Sequence, residues 1–166
     1  DIDPDYNEAR VSLGNLFQTV GRLEESIEQY DLAMEKDPNY TKALTAKGVA
    51  LRKEGKFSSS LDNILKSENI DPHNLSTLIS LGTAYKAMGD NEKAAEVYWR
   101  AFKINPNISA TNKCLLYIAL NNPHLTSREI YDHHLEVRGH FNIPELSEKS
   151  FPERDKTTSR RLKVGY

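Results

Sequence analysis

The residues most capable of chemistry lie in "PHLTSREIYDHHLEVRGHF", which holds four of the five histidines: His124, His133, His134 and His140. A helical zinc site needs histidines at i and i+4 with a third ligand nearby. The last three of these histidines are spaced one, six and seven residues apart. His133 and His140 would share a helical face, but two turns apart, about 10 Å. The spacing therefore argues against a metal site.

Other catalytic patterns are also absent from the sequence. There is no HExxH motif, Gly-rich phosphate loop, GxSxG elbow or Cys/His nucleophile arrangement. The single cysteine, Cys114, excludes an internal disulfide and a multi-cysteine zinc site. The sequence therefore predicts no catalytic residue, metal ligand or cofactor, and it leaves open whether a parent protein is an enzyme.

Composition narrows the class of protein further. Of 166 residues, 38% are hydrophobic and 28% charged, and the net charge of −2 offers no basic field for nucleic acid or anionic membrane. No apolar run approaches the roughly 18 residues of a membrane span. The acidic start "DIDPDY" is unlike a signal peptide. We expect a soluble, cytoplasmic protein without nucleic-acid or membrane partners.

Proline and glycine recur every 34 residues. The positions are Pro4, Pro38, Pro72 and Pro106; Gly14, Gly48 and Gly82; and Gly21, Gly55 and Gly89. In "ALTAKGVALRKEGKFSSSLDNILKSENIDP", a first helix of about 14 residues would end at a left-handed Gly55. A second helix would place Phe57, Leu61, Ile64 and Leu65 at helical spacing before Asp-Pro stops it. The period therefore predicts a repeated helix–turn–helix unit.

A mid-helix glycine recurs in each unit, at Gly14, Gly48 and Gly82. Glycine inside a helix costs about 1 kcal/mol relative to alanine. We therefore predict that the paired helix approaches closely at these positions, where a side chain would wedge the two helices apart.

The units resemble the tetratricopeptide repeat, whose period is 34 residues. The likeness is carried by "SLGNLFQTVGRLEESIEQYDLAMEKDP" and "LISLGTAYKAMGDNEKAAEVYWRAFKINP", with Leu-Gly pairs and an aromatic residue three positions later, Phe17 or Tyr85. The middle unit has Lys47 for the leucine and Leu51 for the aromatic residue. The resemblance implies an all-α, right-handed superhelix of helix–turn–helix units.

This frame divides the chain into seven segments. They are the end of a preceding repeat at 1–6, repeats at 7–40, 41–74 and 75–108, a degenerate capping helix pair at 109–141, a linker at 142–161, and at 162–166 a short strand that would begin a catalytic domain. The strand is predicted from the alternation in "LKVGY". A capping box at Thr126 and Glu129 would begin the last helix.

The resemblance also implies a concave groove lined by the first helix of each pair. The predicted groove residues are Val11, Asn15, Lys42, Thr45, Val49, Arg52, Lys53, Ile79, Thr83 and Lys86. A mixed surface with a basic cluster suits a protein or an extended, partly acidic peptide, although a solvated charged face would have the same composition. Homo-oligomerisation through the repeats is a further expectation.

Chaperone-binding members of the family hold a terminal carboxylate with a Lys/Asn/Asn/Lys/Arg set. Asn15 matches one of these positions, but the other four are Val11, Ala46, Ser76 and Ser80. The sequence therefore argues against a chaperone adaptor.

The block at 113–166 resembles the segment that joins repeats to the catalytic half in O-GlcNAc transferase-like glycosyltransferases, including plant SPINDLY proteins. The matching residues are Leu120–Asn121, Pro123, Leu125, Glu129–Ile130, His134, Phe141 and Arg160 to Tyr166. The family's tryptophan is Val137, and Ser12, Ala46 and Ser80 replace a recurring groove asparagine of the animal enzyme. The family's catalytic residues would lie beyond Tyr166, so none is assigned.

Two hypotheses follow. In the first, the chain is the substrate- or partner-recruiting repeat region of an O-GlcNAc transferase-like enzyme that uses a UDP-sugar. In the second, it is a free-standing tetratricopeptide scaffold or adaptor.

Overall fold

A computed structural model of the chain describes residues 4–35, 37–122 and 125–139. Their regular structure is entirely helical. The elements are α1 (Pro4–Thr19), α2 (Leu23–Met34), α3 (Thr41–Lys53), α4 (Phe57–Ile70), α5 (Leu75–Ala87), α6 (Asn91–Ile104), α7 (Ser109–Leu120) and α8 (Ser127–Gly139). Each helix packs on the next along the chain. The predicted all-α repeat fold is confirmed.

The turn inside each of the first three helix pairs is built on a left-handed glycine. Gly21, Gly55 and Gly89 have φ of 83°, 81° and 82°, the conformation that glycine adopts without steric cost. One residue later, a backbone N–H reaches back to the carbonyl of the preceding helix, as in Lys56 N to Leu51 O at 2.9 Å. This hydrogen bond satisfies a free helix-end carbonyl. The left-handed Gly55 is confirmed.

The mid-helix glycines lie where the paired helices touch. A Cβ at Gly14 would come within 2.5 Å of the Tyr30 ring, and a Cβ at Gly82 within 2.8 Å of the Tyr98 ring. Gly48 lies closer still to Ile64. Real Cβ atoms essentially never approach so closely, so the prediction of close helix approach is confirmed.

Each second helix packs between two first helices, which makes the core continuous. Around α2, Tyr30 and Ala33 share one cluster with residues of α1 and α3. Ile64 of α4 joins α5 and α6 residues in the next cluster, and Tyr98 and Phe102 of α6 join α7 and α8. Because each unit buries its apolar face on its neighbours, the stack is stabilised mainly by contacts between adjacent helices.

The last helix pair closes the described part of the stack. Val137 of α8 is buried against Leu115 and Ile118 of α7. The capping box is confirmed, since the backbone N–H and hydroxyl of Thr126 each donate to Glu129 at 2.7 Å. Hydrogen bonds from Thr126 hold the pKa of Glu129 below its usual value.

Several sequence predictions fall outside the described residues. These are His124, His140, the linker at 142–161 and the strand at 162–166. The segment boundaries proposed from the sequence stay predictions. Within the described ranges, no helix combines the length and apolar character needed to cross a membrane.

Candidate peptide-binding groove

A groove of about 500 Å³ runs along the first helices of the repeats. Most of its lining side chains are small or polar, and nearly all come from α1, α3 and α5. The lining residues are Glu8, Val11, Ser12, Asn15, Gln18, Thr41, Lys42, Thr45, Ala46, Val49, Asn74, Ser76 and Ser80. Its volume lies in the range of about 300–1,000 Å³ typical of ligand sites.

Five of the ten predicted groove residues line this cavity: Val11, Asn15, Lys42, Thr45 and Val49. Most of the lining residues missing from the predicted set share repeat positions with predicted ones or with each other. Glu8 and Ser76 occupy the position of Lys42, Gln18 occupies that of Arg52, and Ser12, Ala46 and Ser80 share one further position. The 34-residue period could therefore have identified these six residues, but not Thr41 and Asn74.

The other five predicted residues, Arg52, Lys53, Ile79, Thr83 and Lys86, are not among those lining this cavity. Ile79 packs against the core cluster of α4, α5 and α6. Thr83 is hydrogen-bonded to Tyr98, with the hydroxyl oxygens 3.0 Å apart. The ammonium of Lys86 lies 5.0 Å from the centre of the Tyr117 ring.

The positive charge at the N-terminal end of the groove is paired with an acidic side chain of the protein itself. Nζ of Lys42 donates to Oε1 of Glu8 at 2.8 Å. The two residues are 34 positions apart, so they occupy the same place on α1 and α3. The hydrogen bond to Glu8 raises the pKa of Lys42. This end of the groove therefore presents an ion pair instead of a lone cation.

The amides of this half are also engaged. The hydroxyl of Tyr30 is 2.8 Å from Oδ1 of Asn15 and 3.0 Å from Oε1 of Gln18. Burial raises the pKa of Tyr30 to about 12. The phenol therefore stays protonated at neutral pH, and both amides keep their N–H groups available to a ligand in the groove.

Thr45 lies at the floor of the groove, and its hydroxyl belongs to a buried polar cluster. Its Oγ1 is 2.9 Å from Oγ of Ser67 and 2.9 Å from Oγ1 of Thr77, and those two atoms are 3.1 Å apart. Thr45 is only 6% exposed. The three hydroxyls join α3, α4 and α5, which gives Thr45 a packing role.

Within the described residues, no three histidine, cysteine, aspartate or glutamate side chains lie close enough to hold a metal ion. The ring of His133 lies 5.5 Å from that of Trp99, centre to centre. His133 is therefore part of the contact between α8 and α6.

Solved structures with a similar fold include tetratricopeptide domains. The first tetratricopeptide domain of Spaghetti (RPAP3), bound to the HSP90 peptide SRMEEVD, is 21% identical, with a TM-score of 0.67 over 72% of this chain and 94% of that one. The Arabidopsis OM64 domain is 15% identical, with a TM-score of 0.66 over 71% and 98%.

A mutant O-GlcNAc transferase of Thermobaculum terrenum is 17% identical, with a TM-score of 0.73. The match covers 84% of this chain but 27% of the transferase chain. No curated protein sequence matches significantly.

A family model gives the assignment. The model described as "Psidin, N-terminal TPR repeats region" matches residues 18–120, which is more than half of the chain. Together with the glycine turns and the stacked helix pairs, this match shows that the chain belongs to the tetratricopeptide-repeat family, in the group of the Psidin N-terminal repeats.

Proposed function

We propose that this chain binds an extended segment of a protein partner in the groove lined by α1, α3 and α5. The family is one of protein–protein interaction repeats. The observation that carries the proposal is the concave surface itself, where Ser12, Ser76 and Ser80 leave room for a peptide backbone. Hydroxyl and amide groups in such a groove can pair with the peptide's N–H and C=O groups.

The expected ligand differs from the HSP90 peptide held by the first Spaghetti domain. Val11, Ala46, Ser76 and Ser80 occupy four of the five positions that the chaperone-binding resemblance would need as lysine, asparagine or arginine. An aliphatic residue, an alanine and two serines cannot hold a terminal carboxylate by charge. We therefore propose a partner recognised along its length instead of by its C-terminus.

The partner can be sought with a random peptide library displayed on phage. Selected peptides should bind the wild-type protein and lose affinity for Ser80→Arg, which would fill the groove. The matched control is Glu96→Arg, on the exposed surface of α6. Equal binding to both variants would contradict a groove site.

We propose further that these repeats recruit substrates or partners for an O-GlcNAc transferase-like glycosyltransferase. The support is the sequence resemblance that includes Leu120–Asn121 and Glu129–Ile130, together with the fold shared with the Thermobaculum terrenum enzyme. In that case the transfer chemistry would come from residues outside this chain, with a UDP-sugar as the donor. The alternative is a free-standing scaffold with the same groove.

Reading the coding sequence beyond Tyr166 separates these two proposals. A second α/β lobe carrying a catalytic histidine supports the transferase, and a stop codon soon after Tyr166 supports the scaffold. Residues 1–166 alone should neither hydrolyse nor transfer a UDP-sugar. Measurable turnover by this segment would contradict the recruiting role.

Homo-oligomerisation through the repeats and a cytoplasmic location are also proposals. Leu13 and Leu16 of α1 and Val20, directly after its end, are exposed apolar side chains. At the positions matching Leu16, Ala50 and Ala84 are buried in the core. Sedimentation of the wild type and Leu16→Glu tests self-association, and imaging of a fluorescent fusion tests location.

A further inference from the structure

By the 34-residue period, the groove positions continue past the cavity, toward the C-terminal ends of α3 and α5 and onto α7. Gln18 lines the cavity on α1, and the residues at the same repeat position are Arg52, Lys86 and Leu120. Three residues earlier, about one helical turn toward the N-terminus of each helix, are Asn15, Val49, Thr83 and Tyr117. We call Arg52, Lys86, Tyr117 and Leu120 the C-terminal patch.

The two cations of this patch have no acidic partner among the described residues. The ion pairs there join Lys42 to Glu8, Lys47 to Asp31, Arg100 to Glu68 and four further pairs within single helices or turns, none of which includes Arg52 or Lys86. Nε of Arg52 is buried and has no hydrogen-bond acceptor in the same part of the chain. The positive charge at this end is therefore unmatched, unlike that of Lys42.

The two cations occupy equivalent positions on neighbouring parallel first helices, whose axes lie about 10 Å apart in such packing. The two helices are in direct contact with each other. Arg52 and Lys86 therefore lie on adjacent first helices of the same face.

An apolar surface adjoins these cations. Tyr117 is 54% exposed and Leu120 is 60% exposed, although both occupy groove positions. Nζ of Lys86 lies 5.0 Å from the centre of the Tyr117 ring, a cation–π distance. An incoming residue would therefore meet two positive charges and an open aromatic and aliphatic surface side by side.

We propose that the C-terminal patch binds an acidic side chain of the peptide between Arg52 and Lys86, with a neighbouring apolar residue on Tyr117 and Leu120. Arginine and lysine supply charge-assisted donors to a carboxylate, and the apolar surface excludes water from that pair. The N-terminal half of the groove, where Lys42 is already paired with Glu8, contacts uncharged parts of the same peptide. This inference rests on the proposed peptide-binding function and adds where on the groove, and by which chemistry, the peptide is recognised.

The test is a selection from one random phage-displayed peptide library on two immobilised proteins. The wild type should enrich peptides with an aspartate or glutamate beside an apolar residue. Arg52→Gln/Lys86→Gln should lose that enrichment but still select peptides. Lys66→Gln/Lys103→Gln, on exposed surfaces of α4 and α6 and with the same change in net charge, should keep it.

A synthetic copy of the most enriched peptide then isolates the contact. Replacing its acid by the matching amide should weaken wild-type binding at least about fivefold and leave binding to Arg52→Gln/Lys86→Gln nearly unchanged. Wild-type binding should also weaken as salt rises. Groove-bound peptides without acidic enrichment would overturn this inference and leave the peptide-binding function standing. Failure to select any peptide whose binding is lost in the Ser80→Arg variant would overturn both this inference and the peptide-binding function.

Discussion

Gly82 of α5 lies directly against the aromatic ring of Tyr98 in α6, so that a Cβ on residue 82 would be 2.8 Å from Cε1 of the ring. Tyr98 is buried and cannot swing away into solvent. The same relation joins Gly14 to Tyr30 and Gly48 to Ile64. A contact of a mid-helix glycine with a large side chain therefore recurs in all three repeats, at intervals of 34 residues.

Replacing Gly82 by leucine should destabilise the protein by overpacking this contact. The expected loss in the free energy of unfolding is about 1–3 kcal/mol, measured by urea denaturation. Ala87→Leu, at an exposed position of the same helix, is the control and should change stability by less than about 0.5 kcal/mol. An unchanged midpoint for Gly82→Leu would contradict the repeat frame.

The tyrosines of the first and third repeats each have a polar partner on the first helix. Tyr98 bonds to Thr83 at 3.0 Å, and Tyr30 bonds to Asn15 at 2.8 Å. A double-mutant cycle with Thr83→Val and Tyr98→Phe should give a coupling energy of about 0.5–1.5 kcal/mol. The middle repeat has Val49 and Ile64 instead, so Ile64→Val with Val49→Ala serves as the apolar comparison. Strictly additive effects at 83 and 98 would refute the bond's contribution.

Stability should fall at alkaline pH because the Tyr30 pKa rises to about 12 on folding. A raised folded-state pKa gives stability that is complete below the unfolded value near 10 and is lost as pH rises toward 12. Unfolding free energies across pH 9–12 should therefore decline less steeply in Tyr30→Phe. Burial shifts the pKa of Tyr98 in the same direction, so some slope should remain. Identical slopes in the two proteins would exclude this role for Tyr30.

Thr45→Val should lower stability without weakening peptide binding. The substitution removes the hydroxyl that joins Ser67 and Thr77, at an expected cost of about 1 kcal/mol. Thr19→Val, at an exposed site, is the matched control. Loss of peptide affinity at full stability would instead make Thr45 a direct ligand contact.

Much of the fold could be predicted from sequence because glycine and proline restrict the backbone locally. The turn at Gly55 and the capping box at Thr126 and Glu129 depend on residues within a few positions of each other. The 34-residue period repeats those local signals, so the helix–turn–helix unit can be predicted from the sequence alone.

The groove was less predictable because side-chain partners depend on distant residues. Lys42 looked like a free cation in the sequence, but it pairs with Glu8 on the preceding first helix. Thr45 lines the groove as predicted, but the sequence could not show that its hydroxyl bonds to Ser67 and Thr77 on other helices. Net charge per helix face cannot show which cations are neutralised; only tertiary contacts show this.

The most direct test of a concave binding surface is amide NMR of the protein titrated with a peptide selected from the phage library. Chemical-shift changes should concentrate at first-helix groove residues such as Ser12, Ala46 and Ser80, and extend to Lys86 and Tyr117. Exposed positions of the second helices, such as Glu28 and Glu96, should not move. Changes confined to α2, α4 and α6 would contradict a concave binding surface.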